Sequence, residues 1–246
     1  MISQITPAMV TFATIICAGL LIMGLSRLLD HIWAHALRYP LLYLILSAPG
    51  VIAHECAHII GCLLVGAKIH NVVLISRDGG MVSHSPPVIP VIGDVIISTA
   101  PLFFLPLILA ALTWFFGSYT GCSFAAIVPS LGSIASLYSL VAAVGSTLYQ
   151  NIVVVFNPWF LLYLYLVTSL ALSFSPSLQD IRNAIVGLII LFLAGVCLLA
   201  LNLPVLTGGF LILLGLVGTG LTIGLAFALV AFSVSLPAFL FYRGSS

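Results

Sequence analysis

The stretch LSAPGVIAHECAHIIGCLLVG, Leu46–Gly66, is apolar for almost its whole length and carries two histidines and a glutamate at its centre. Glu55 is the only glutamate in the chain. The surrounding apolar run, from Tyr39 to Gly66, is long enough to cross a bilayer, which takes about 20 residues. The rest of the sequence has the same character. Its 246 residues are 63% hydrophobic and 4% charged, against about 25% charged in an ordinary soluble domain. Mean hydropathy is +1.35. Such a chain cannot clothe a water-facing surface, so it reads as an integral membrane protein, multi-pass and resident in the cell membrane, with the lipid bilayer as its principal partner. A net charge of +1 provides no basic field for nucleic acid. The five cysteines lie in or beside apolar runs and are odd in number, so they read as small buried residues and not as a disulfide framework.

Working outward, apolar segments occur at about Pro7–Leu29, Tyr39–Gly66, Ile89–Phe116, Gly132–Gln150, Asn157–Phe174, Asn183–Leu201 and Leu206–Phe241. The first lacks the basic start of a secretory signal and reads as a retained helix. Pro101 and Pro106 are expected to kink the third. The last is too long for one straight span and reads as one tilted helix or two short ones. The expected fold is all-α and polytopic, with about seven transmembrane helices. It forms one integral membrane domain over residues 1–246, with a core at about 39–182 and additional helices over 183–246. No repeat or linker divides it.

Gly66–Pro87 breaks the helical pattern. KIHNVVLIS is rich in β-branched residues, RDGG is a turn, and MVSHS follows, which predicts a small β-hairpin after the second helix. Non-helical backbone at membrane depth must be buried in protein or line a wet cavity. The hairpin therefore belongs at the membrane surface or in a cavity beside the second span. His70 and His84 are placed to face each other across it as surface residues.

His54 and His58 are four apart and share one helix face, so both imidazoles can reach one metal ion. Glu55 points about 100° round the helix. In HExxH chemistry the two histidines bind zinc and the glutamate is general base on its water. An ionisable group inside a span costs ~3 kcal/mol or more and is functional by default. The alternative is a polar network that glues helices together.

HECAH within a span, followed by GAKIHNVVLISRDGG, resembles the site-2 protease family of intramembrane zinc metalloproteases. The likeness is good from Pro49 to Gly80 and weaker from Pro101 to Asp180. It implies a zinc-dependent endopeptidase that cleaves membrane-spanning substrate helices, with His54 and His58 as zinc ligands and Glu55 catalytic. It also implies a third ligand, an Asp on a later helix, typically at the Asp-Gly end of an Asn-rich segment. Here the chain departs from the pattern, because its only Asp-Gly is Asp78-Gly79, in the hairpin turn. YQNIVVVFNPWF, Tyr149–Phe160, resembles that Asn-rich segment, and the resemblance makes Asn151 and Asn157 candidates for holding substrate, or else interhelical glue. No Asp follows at once, so the third ligand is assigned to Asp180, in SFSPSLQDIRNAI. Its bland alternative is a first-turn acid of the sixth helix. Asp94 is the second candidate ligand, and Cys62 reads as a packed thiol. If segments three, four and five all cross the bilayer, Asp180 falls on the face opposite the hairpin. It then reaches the histidines only if the fifth helix ends early or segment four is re-entrant.

His31 and His35 read as part of a solvated interfacial turn, and Trp33, Trp114 and Trp159 as interfacial anchors. Orientation stays open: charge bias and family resemblance point opposite ways. Two rival classes remain, a metal or proton transporter and a helix-binding pseudo-protease. Few intramembrane acids and no repeat argue against the first, and an intact HECAH against the second. Neither the particular substrate nor the oligomeric state is specified.

Overall fold

Apolar sequence punctuated by proline and glycine gives long helices here. The computed structural model describes residues 17, 19–34, 40–76, 79–125, 134–174, 186, 189–190, 192–198, 201 and 204–242. Seven helices lie among them. They are α1 (19–34), α2 (Pro40–Leu64), α3 (Pro90–Tyr119), α4 (Ile134–Tyr149), α5 (Pro158–Leu172), α6 (192–198) and α7 (Pro204–Tyr242). A two-stranded antiparallel sheet, β1 (Ile69–Val73) and β2 (Met81–His84), joins α2 to α3. Among the described residues, three helical stretches are long and apolar enough to cross a membrane: Pro40–Leu64, Ile92–Tyr119 and Val205–Ala226. α5, with 15 residues, is about 22 Å long, short of the ~30 Å hydrocarbon core. The final apolar segment is one continuous helix of 39 residues.

α5 packs against α2, α3 and α7, and α3 in turn packs against the other three. Phe160, Tyr163, Val167, Leu170 and Phe174 follow i, i+3, i+7 spacing and bury one stripe against Leu105, Leu109 and Phe116 of α3 and Val217 and Leu221 of α7. The Tyr163 hydroxyl meets Thr113 Oγ1 at 2.9 Å, so the polar tip of this buried ring is satisfied.

A second face of α5 runs alongside α2. Pro49 lies inside α2 and has no N–H for the carbonyl of Ile45 four residues earlier. The Tyr165 hydroxyl donates to that Ile45 carbonyl at 2.6 Å. One step on, Gly50 N–H donates to Ser169 Oγ at 2.8 Å. A Cβ on Gly50 would run into the Ser169 carbonyl, so only glycine permits this approach. At the C-terminal end of α5, Ser26 Oγ of α1 donates to the Leu172 carbonyl at 2.6 Å. Tyr165 and Ser26 thus satisfy carbonyls that a proline and a helix end leave unbonded.

The start of α5 lies at the end of α3. Asn157 caps α5 through Trp159 N–H at 3.0 Å, and its Nδ2 donates to the Thr120 carbonyl at 2.9 Å. Trp114 and Trp159 are exposed at this end, as interfacial anchors are. Trp33 instead packs partly buried on Leu29. Because α3 ends where α5 begins, the segment containing α4 adds no net crossing between them, and α5 returns toward the hairpin end of the molecule.

The hairpin forms where the sequence predicts it, with one change. Ile69 pairs with His84 and Asn71 with Ser83, so His70 sits in a bulge. His70 and His84 therefore do not face each other: the extra residue moves His70 out of register.

Candidate metal and catalytic site

His54 and His58 project from α2 into the space between α3 and α5. His54 Nδ1 donates to the Ser173 carbonyl at 2.8 Å, just beyond the end of α5. His58 Nδ1 donates to the Ile97 carbonyl of α3 at 2.9 Å. A carbonyl can only accept, so each Nδ1 carries the proton, and each neutral ring then has its lone pair on Nε2. The two Nε2 atoms are 3.2 Å apart. Both acceptors are backbone groups of rigid helices or their ends, so the tautomer is set by the fold.

At this distance two ring nitrogens can share a proton or bind one cation together. A shared proton would make one ring cationic, which is costly away from water. A metal ion supplies the charge without it. Two Zn–N bonds of about 2.05 Å meeting at a tetrahedral angle hold their nitrogens about 3.3 Å apart. The observed separation fits, and so do the second hydrogen bonds, because metal-binding histidines regularly give their other N–H to a carbonyl or carboxylate.

Glu55 follows His54 directly and is buried, 7% exposed. It lies under the hairpin. A Cβ on Gly80, the residue before β2, would come within 2.8 Å of Glu55 Oε1. Gly79 takes φ = 99° in the turn, a conformation that favours glycine. Thus Gly79 shapes the turn and Gly80 lets its backbone lie against the carboxylate side chain. The strands are anchored by Ile69 and Val82, which pack on Cys62, Ala67 and Ile97. Cys62 is fully buried in that cluster, which agrees with its reading as a packed thiol. A narrow cleft lined by His54, Ser98, Pro101, Leu102, Leu105 and Phe174 opens beside the pair.

The other sequence candidates are distributed unequally. Among the described residues, no third His, Cys, Asp or Glu forms a metal-binding group with His54 and His58. Asp94, partly buried in the first turns of α3, therefore stands apart from the pair. Asp180 lies outside the described residues; Ser173, seven residues earlier in the sequence, touches His54. Seven residues reach up to about 24 Å.

Asn151 and Asn157 are held elsewhere. Asn151 is buried in a π-helical turn, Gln150–Val154, where its amide accepts from Ser123 N–H and donates to the Ser123 and Thr147 carbonyls. Asn157 caps the start of α5, about 24 Å along the helix axis from Ser173. The structure does not bring either residue together with the histidines. Sequence reasoning missed Ile97, Ser173 and Gly80. The first two act through backbone carbonyls, which leave no side-chain signature. For Gly80, the double glycine of RDGG was a usable signal.

No protein-family model, curated protein or solved structure matches this chain.

Proposed function

We propose that the chain is a zinc-dependent intramembrane endopeptidase, multi-pass in the cell membrane, of the site-2 protease type. The observation that carries this reading is the pair of Nε2 atoms 3.2 Å apart, each ring tied through Nδ1 to a helix carbonyl. His54 and His58 would hold the metal, with Asp180 proposed as third protein ligand. Bound there, zinc supplies Lewis-acid polarisation of the scissile carbonyl and acidifies water.

The chain's own residues do the rest. Glu55 accepts the proton of the attacking water and returns it to the departing amine, so one water is consumed and one peptide bond becomes a carboxylate and an amine. The hairpin covers Glu55 and limits solvent on that side. A helix hides its peptide bonds, so the substrate has to unwind before cleavage. Its extended strand adds to a free edge of the two-stranded sheet, beside Glu55. The membrane protein to be cut thus meets the site as a strand, while the bilayer supplies it as a helix.

The test begins with purified protein and its zinc content. One zinc per chain is expected, lost on Asp180→Ala and retained on Asp94→Ala. Wild-type protein that takes up no zinc overturns the enzyme reading. Zinc retained by Asp180→Ala but lost from Asp94→Ala overturns the assignment of the third ligand. Under the helix-glue alternative, His54→Ala loosens the α2–α5 contact and zinc changes nothing.

A further inference from the structure

The His58 ring is oriented by a carbonyl that an ordinary helix would not have to offer. In α3 the Ile97 carbonyl would accept from the N–H of residue 101. Residue 101 is proline, which has no N–H and whose ring pushes that carbonyl aside. The released Ile97 oxygen is the one that His58 Nδ1 reaches at 2.9 Å. α2 contains a parallel case: Pro49 releases the Ile45 carbonyl, and the Tyr165 hydroxyl of α5 takes it at 2.6 Å. Glycine lets the helices close at the same level, since a Cβ on Gly61 would come within 2.9 Å of Ile97 Cα.

We propose that Pro101 is a positioning residue of the histidine pair, freeing the Ile97 carbonyl that fixes the tautomer and aim of His58. The proline acts on His58 whether or not a metal is bound. Its consequence for zinc rests on the metal reading above. With an N–H at position 101, the helix reclaims its own bond. The Ile97 oxygen then turns along its own helix and His58 Nδ1–H must share it, so the hold on the Nδ1–H tautomer weakens and the ring can carry its proton on Nε2, where it cannot bind metal.

Pro101→Ala, Pro106→Ala and wild type are to be compared in full-length, detergent-solubilised protein. Imidazole 15N NMR of the metal-free protein reads the His58 tautomer directly, and zinc affinity is measured by competition with a chelator. Pro101→Ala is expected to move His58 away from the Nδ1–H tautomer and weaken zinc by about 10–100-fold, the usual loss when such a partner is removed. Pro106→Ala makes the same chemical change in the same helix, at the Leu102 carbonyl, and is expected to leave both readings as in wild type. Replacing Pro101 by lactic acid, which also has no N–H, is expected to restore both. Should the alanine variant not fold, Pro101→Gly restores the N–H in a more pliable backbone. An unchanged tautomer in the variant that folds overturns the proposal. So do equal effects from Pro106→Ala, or failure of the lactic acid replacement to rescue. If wild type binds no zinc yet Pro101→Ala still moves the His58 proton, the positioning role stands and the protease reading falls.

Discussion

Glu55 and Gly80 form the contact on which the proposed chemistry turns. The carboxylate is buried and the glycine backbone lies where a methyl group would strike Oε1. Glu55→Gln keeps the shape and removes the base. It is expected to retain zinc and lose at least about 10²-fold in cleavage of a model membrane helix. Cleavage at the wild-type rate removes Glu55 from the mechanism. Gly80→Ala tests position and not basicity. The added methyl must displace either the carboxylate or the turn, and a shift near 1 Å at a reacting group costs about 10²-fold. The expected outcome is a fall in kcat with zinc content unchanged, and full activity would show that the hairpin backbone does not set the Glu55 position.

Among the elements, the α2–α5 seam holds the site in place. Tyr165, Ser169 and Ser173 of the α5 segment meet Ile45, Gly50 and His54 of α2 in parallel succession. Loosening the seam at one end should be felt at His54. Tyr165→Phe deletes the hydroxyl that satisfies the carbonyl freed by Pro49, with an expected cost of about 0.5–1 kcal/mol, the range for interhelical hydrogen bonds in membranes. Reversible denaturant unfolding in detergent measures it. Gly50→Val is a larger insult, because any Cβ meets the Ser169 carbonyl. The helices must separate, carrying His54 away from Ser173, so zinc uptake and stability are expected to fall together. A Gly50→Val protein with wild-type zinc affinity would show that the seam does not position the pair.

For the whole molecule, the return of α5 toward the hairpin end matters most. It brings Ser173 to His54, seven residues before Asp180 in the sequence. Zinc bound as proposed by His54, His58 and Asp180 would join parts of the chain distant in sequence, and so would stabilise only the folded state. Zinc at 100 times its Kd is expected to add about 2.7 kcal/mol, read as a rise in Tm that chelator abolishes. In Asp180→Ala the same addition is expected to raise Tm far less. An equal rise in both proteins would leave the third ligand elsewhere.

The amino-acid sequence by itself determined the membrane character, the positions of the helices, the hairpin and the HECAH spacing. All are local: apolar run length, β-branched content, turn residues and a four-residue helical repeat are each read within one segment. The hairpin was legible from RDGG and its flanks, but its register was not. The bulge at His70 arises from pairing with β2, which no single strand encodes. Likewise the resemblance to an Asn-rich segment makes Asn151 and Asn157 candidates for holding substrate, and only the packing shows that their amides bond neighbouring backbone. Tertiary structure alone decided which carbonyls face the histidines, that Gly80 lies on Glu55, and that α5 begins where α3 ends. Those facts depend on how helices lie side by side, and on backbone groups identical in every residue. What the sequence could mark was only where such groups are released, at Pro49, at Pro101 and at the end of α5. It took the packing of three helices to turn one released carbonyl, and one left over at a helix end, into the supports of a histidine pair.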